Sequence, residues 1–145
     1  MKKLIALSAL FALSSSLLAG EGWMGNIEKA LEIAKKEKKQ VLIDFTGSDW
    51  CPPCIALKKN VFDSKEFKAY AKDNLVLVEL DFPRRKKIDP KQKAYNSAQQ
   101  KKYGIRGFPT VILLDAKGKE LMKSVGYRKG PVSAYINKIK DAKFQ

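Results

Sequence analysis

After Asn26, apolar residues recur at helical spacing: Ile27, Ala30, Leu31 and Ala34 share one face, and the stretch closes in the lysine-rich "KKEKKQ". Asn26 can cap this helix. The pattern then changes to "VLIDF" (Val41 to Phe45), a short apolar run of the kind that forms a strand covered on both faces. "LVLVELDF" (Leu75 to Phe82) and "TVILLD" (Thr110 to Asp115) repeat that pattern. Between them, Cys51-Pro52-Pro53-Cys54 opens a helix, because proline is tolerated in a first helical turn. "DSKE" (Asp63 to Glu66) is a capping-box pattern and predicts a short helix through Tyr70. Asp89 followed by Pro90 starts a helix that runs to Tyr103 and ends at Gly104. "AKGK" turns the third strand into "ELMKSV" (Glu120 to Val125), a hairpin. Gly130-Pro131 begins a last helix with Val132, Tyr135, Ile136 and Ile139 on one face.

The order α-β-α-β-α-β-β-α predicts an α/β fold with a central mixed sheet of about four strands flanked by helices. Strands joined through helices are expected to be parallel, with the final hairpin adding one antiparallel edge strand. Helices on both faces account for the missing polar alternation. The Cys-Pro-Pro-Cys stretch falls where the first strand gives way to a helix, at the carboxyl ends of the strands, where open α/β sheets place their sites.

Ahead of this domain, "MKKLIALSALFALSSSLLAG" (residues 1–20) reads as a secretory signal: Lys2 and Lys3, an apolar run from Leu4 to Leu13, and a small-residue exit at Ala19-Gly20. A membrane anchor is the alternative, but the run is short and Ser14, Ser15 and Ser16 interrupt it. No cysteine at the exit supports a lipid anchor. Residues 21–145 then make one compact domain, in a bacterial periplasm where disulfides persist. Without the two signal lysines, 27 of the 29 basic residues remain against 15 acidic ones. Most are lysines spread over every predicted helix, which reads as a solvated surface, with attraction to acidic proteins or anionic lipid as the alternative. Only "PRRKK" (Pro83 to Lys87) is dense, and no aromatic residue interleaves with it, so nucleic acid is not expected as a partner.

The chain has two cysteines and no histidine. A zinc site needs about four ligands, usually cysteine or histidine, which argues against a metal. A structural bridge across two residues closes too small a loop to restrain the unfolded chain much. A redox pair needs one accessible sulfur stabilised as thiolate and a second close enough to resolve a mixed disulfide. A helix start supplies both, with Cys51 at the positive end of the helix dipole and Cys54 one turn inside. The redox reading is favoured, with no cofactor beyond the pair itself.

Three separated stretches, "DFTGSDWCPPC", "YGIRGFPTVILLD" and "GKELMKSVGY", resemble the thioredoxin superfamily from about Ile27 to Lys140. The "VFDS" break after the active-site helix resembles, more narrowly, the C-terminal thioredoxin-like domain of transmembrane thiol:disulfide interchange reductases and related small exported proteins. The resemblance implies that Cys51 is the nucleophile and Cys54 the resolving thiol. It also implies a cis Phe108–Pro109 bond facing the cysteines, with the Phe108 backbone pairing to substrate. Trp50 is expected to pack over the site, beside Phe108 and Pro109. Asp44 is a polar slot in an apolar strand, which is costly unless the group has work. The family carries a buried acid on this strand that relays a proton to the resolving cysteine. "TGSDW" sets one more residue than usual between acid and cysteine, so a displaced Asp44, solvated or locally hydrogen-bonded, is the alternative. Glu79 lies where the family often has a second ionisable group.

Pro52 and Pro53 lack backbone N–H groups, so a Cys51 thiolate loses two donors and is only moderately stabilised. That favours a reductase of disulfide-containing exported proteins, fed by an electron-donating membrane thiol:disulfide reductase and working as a monomer. An oxidase or isomerase, or a non-catalytic client-binding module on the same fold, are the alternatives.

Overall fold

The computed structural model describes residues 22–142; the expected signal at residues 1–20 lies outside them. Five α-helices and four strands follow in chain order: α1 (Ile27–Glu37), β1 (Gln40–Thr46), α2 (Pro52–Leu57), α3 (Lys65–Asn74), β2 (Leu75–Asp81), α4 (Pro90–Lys102), β3 (Thr110–Leu114), β4 (Glu120–Val125) and α5 (Val132–Asp141). Asn26 caps α1 as expected, its side chain accepting from the Lys29 N–H. Asp89 caps α4 ahead of Pro90, and Gly104 stops that helix at φ +61°.

Two helices depart from the expected boundaries. Ser64, rather than Asp63, caps α3 by accepting from the Phe67 N–H, and the helix runs to Asn74 instead of Tyr70. Between α2 and α3 the chain widens into a π-helical turn, Lys58–Phe62, in which the Asp63 N–H reaches back five residues to the Lys58 carbonyl. The extra residue in this turn buries Val61 and Phe62 together.

The sheet order is β2-β1-β3-β4. β1 pairs with β2 in parallel, but β3 runs antiparallel to β1, with Thr110 opposite Phe45. The expectation of a parallel third strand is therefore corrected. A crossover helix yields a parallel neighbour only if it carries the chain back to the starting edge. Here the loop after β2, α4 and the loop before β3 return the chain to the edge where β2 left. The β3–β4 hairpin is antiparallel, as expected.

The sheet is sandwiched. Val41, Ile43 and Phe45 of β1 pack with Ile27, Ala30 and Ala34 of α1 on one face. Leu42 packs on the other with Leu57, Val61, Phe67, Ile136 and Ile139. β1 is buried from Val41 to Thr46 and β3 throughout, which is why neither alternates. Beyond β2, Met24 adds a single parallel bridge opposite Val78, donating to the Leu77 carbonyl and accepting from the Glu79 N–H.

Candidate active site

β1 leaves the sheet at Thr46, and the next five residues form a tight turn into α2. The Gly47 carbonyl accepts from the N–H groups of both Trp50 (3.3 Å) and Cys51 (2.9 Å). Gly47 is needed for space: a Cβ there would lie 2.5 Å from Cε2 of the Trp50 ring. Cys51 caps α2 with extended backbone, Pro52 and Pro53 fill the first turn, and the Cys51 carbonyl accepts from the Ile55 N–H. Cys51 and Cys54 form a disulfide with their Cα atoms 5.3 Å apart.

This turn is clamped to the loop between β2 and α4. Asp81 accepts from the Ser48 N–H (3.0 Å) and hydroxyl (2.6 Å) and pairs with Lys86 (2.9 Å). The Asp49 carboxylate accepts three successive backbone N–H groups, those of Arg84, Arg85 and Lys86. These bonds, led by the one from Arg84, hold Asp49 down at about 2. Trp50 donates from Nε1 to the Phe82 carbonyl at 2.7 Å, and the Arg84 guanidinium lies 3.6 Å from its ring centroid.

The third wall comes from the start of β3. The Phe108–Pro109 bond is cis. Because β3 is antiparallel to β1, this segment stands at the edge where β1 ends. The Phe108 ring meets Trp50 edge-on at 5.9 Å and Phe82 at 5.1 Å. The Gly126 N–H donates to the Pro109 carbonyl, and the Thr110 hydroxyl to that of Gly107. No backbone bond to Phe108 occurs among the described residues.

Asp44 is only 3% exposed, and its Oδ1 has no hydrogen-bond partner among the described residues. The solvated alternative is thereby removed. Asp44 lies inside β1, which runs on to Thr46 before the turn begins. Asp44 sits opposite Glu79 in the β1–β2 register, two residues along β1 from Leu42 and so on the α2 side of the sheet. Burial first, then the Glu79 carboxylate, push Asp44 up to about 8, against the pull of Lys58. Glu79 is also raised, chiefly by burial, with Lys58 again opposing.

All six expected residues thus lie at the carboxyl edge of β1 or under it. The accessibility expected of Cys51 is not seen in the disulfide form: Cys51 is 3% exposed and Cys54 2%. The helix start does not stand clear of the protein, because its turn is pinned to the β2–α4 loop. Sequence reasoning missed Asp49 and Asp81, which bind backbone N–H groups and leave no compositional trace. The one available signal was an acid two residues before the first cysteine, with a run of cations further along the chain.

A family model described as a thioredoxin-like domain matches residues 27–141. The disulfide bond reductase DsbH of Chlamydia pneumoniae is 38% identical over 114 residues, covering 79% of this chain and 68% of that protein. A solved structure titled DsbH oxidoreductase superposes with a TM-score of 0.76 at 35% identity, over 86% of this chain and 85% of the other. The reduced C-terminal domain of Neisseria meningitidis DsbD shares the fold, with a TM-score of 0.58 at 21% identity, over 79% and 92% of the two chains.

Proposed function

This chain belongs to the thioredoxin-like domain family, and from that membership we propose that it is a periplasmic reductase of protein disulfides. It is a thiol:disulfide oxidoreductase, a homologue of a disulfide bond reductase with a C-x-x-C active-site disulfide. In the reduced protein, the Cys51 thiolate attacks one sulfur of a client disulfide and expels the other as thiolate, leaving a mixed disulfide. Asp44 in its ionised form, a minority below about pH 8, takes the proton of Cys54, and the Cys54 thiolate attacks the Cys51 sulfur. The second client thiolate leaves, and the Cys51–Cys54 disulfide closes. Two electrons pass to the client, and a membrane dithiol protein returns them. Phe108, free of backbone partners among the described residues, offers its N–H and carbonyl to the client strand beside Trp50 and Pro109.

The electrostatic surroundings of the pair carry the reducing direction. Pro52 and Pro53 remove two N–H donors from the first turn of α2, and two raised carboxyl groups, Asp44 and Glu79, lie on the same side of the sheet. Donors that would steady a thiolate are missing, and burial holds these acids towards their neutral form, so the surroundings are poor at stabilising charge. A thiolate held weakly makes a disulfide that is hard to reduce, hence a dithiol that gives up electrons. The test is equilibration with glutathione buffers. The expected potential lies between about −270 and −200 mV, and a value near about −120 mV would reverse the direction. Export is supported by residues 1–20, and N-terminal sequencing of periplasmic protein tests it: an uncleaved start would count against it.

A further inference from the structure

All four arginines of the chain, Arg84, Arg85, Arg106 and Arg128, sit on loops at one end of the sheet. Arg84 and Arg85 follow the carboxyl end of β2, which is parallel to β1. Arg106 precedes the amino end of β3, and Arg128 follows the carboxyl end of β4, which the register Thr110 to Val125 returns to the same edge. That edge carries Cys51. The other 25 basic residues are all lysines; twelve of them lie on the α-helices, while Lys86, Lys87 and Lys129 stand beside the arginines on these loops. Lysine everywhere would serve solubility equally well, so the confinement of arginine to these loops calls for a separate cause.

Each loop is tied to the site. The Arg84–Arg85 loop hangs on Asp49, with Arg84 stacked over Trp50. Arg106 is two residues from Phe108, and Arg128 two residues beyond Gly126, which bonds to Pro109. All four side chains belong to exposed residues. The three ion pairs among the described residues use lysine alone, so none of the arginines has a carboxylate partner there. The nearby acids are already engaged: Asp49 by backbone N–H groups, Asp81 by Ser48 and Lys86. A guanidinium offers a flat two-pronged donor set that fits a carboxylate better than an ammonium does.

We propose that this arginine rim binds the carboxylates of an acidic segment beside the disulfide of the partner protein, and so sets which disulfides reach Cys51. The proposal rests on the pair being the place of protein thiol–disulfide exchange. A polypeptide is favoured over a lipid surface because a membrane lying across these loops would cover the sulfurs.

The test uses the oxidised protein and two peptides labelled with an uncharged dye. Each is closed by one internal disulfide, flanked by three glutamates or by three glutamines. Anisotropy at about 20 mM salt should show the glutamate peptide binding roughly tenfold tighter, the effect of a few exposed ion pairs. The preference should collapse at about 300 mM salt and in R85Q/R106Q/R128Q. Equal affinity for the two peptides, or a preference that survives in the triple variant, would overturn the proposal. Equal peptide affinity together with rim-dependent binding to phosphatidylglycerol vesicles would reassign the rim to lipid. Turnover of the glutamine peptide by the reduced protein is measured separately: its loss sinks the reductase reading without touching the binding preference.

Discussion

Replacing Asp44 with Asn should flatten the pH dependence of stability. Asp44 stands at about 8 in the folded chain against an ordinary value of 3.8. That interval of roughly four pH units, at about 1.4 kcal/mol each, sets on the order of 5 kcal/mol against ionising the acid in place. Because the folded value is raised, the native state keeps a proton that the unfolded chain gives up. Stability from this group is therefore full below pH 3.8 and is lost as pH rises towards 8. Between pH 5 and pH 8 the loss comes to roughly 3 to 4 kcal/mol. The window is clean: the chain has no histidine, and with the disulfide intact neither cysteine titrates. Glu79, also raised, is present in both proteins, and its coupling to Asp44 is part of the difference read. The assay is urea denaturation of oxidised wild type and Asp44→Asn at pH 5 and pH 8. The buried amide adds an offset of about 1 to 3 kcal/mol that does not vary with pH, so the difference between pH values is the signal. If the two proteins change in parallel to within about 1 kcal/mol, Asp44 does not carry a proton held by burial, and its assignment as proton acceptor falls.

Pro53→His should make the pair more oxidising, since an imidazolium and a restored N–H both favour the Cys51 thiolate; about 1.4 kcal/mol corresponds to roughly 30 mV, read by glutathione equilibration alongside the thiolate absorbance. A thiolate pKa that falls while the potential stays put would remove the proline argument. Gly47→Ala should displace the Trp50 ring, because the new Cβ would lie 2.5 Å from it. The expected cost is about 1 to 3 kcal/mol with a shifted tryptophan emission, and an unchanged emission would contradict the packing described. Asp49→Asn should speed hydrogen exchange at the amides of Arg84, Arg85 and Lys86 and leave those of β1 alone. Unchanged exchange at all three would mean that Asp49 does not hold the loop.

The first three strands were legible because each is a run of mostly apolar residues too short for a helix and bounded by turn residues, and the fourth because the "AKGK" turn before it marks a hairpin. The direction of β3 was not, since a strand buried on both faces reads the same whether its neighbour runs with it or against it. The helix caps at Asn26 and Asp89 showed in the sequence because one side chain does the capping. The π-helical turn at Lys58–Phe62 did not, because its widening comes from packing Val61 and Phe62 against the sheet rather than from any residue preference. At the site, Cys51, Cys54 and Asp44 announced themselves by residue type and place, and Pro109 through the family resemblance. The clamp formed by Asp49 and Asp81 acts on backbone groups brought near by the fold, and the arginine rim appears only when three loops distant in sequence are set on one edge.

Sheets end in edges, and an edge with a free row of N–H and carbonyl groups invites another chain to add a strand. The two edges of this sheet are guarded differently. β4 carries Glu120 and Lys123 exposed along its length, so an incoming strand would meet charges of both signs. β2 is apolar from Leu75 to Val78, and its outer edge is interrupted instead by Met24, which occupies one donor and one acceptor in the middle of the strand. A few residues ahead of the first helix thus act as a stopper against self-association. A chain trimmed past Met24 would retain Cys51, Cys54 and every residue around them, yet it would free the Leu77 carbonyl and the Glu79 N–H on the outer edge of β2. Its failure would be precipitation rather than lost chemistry.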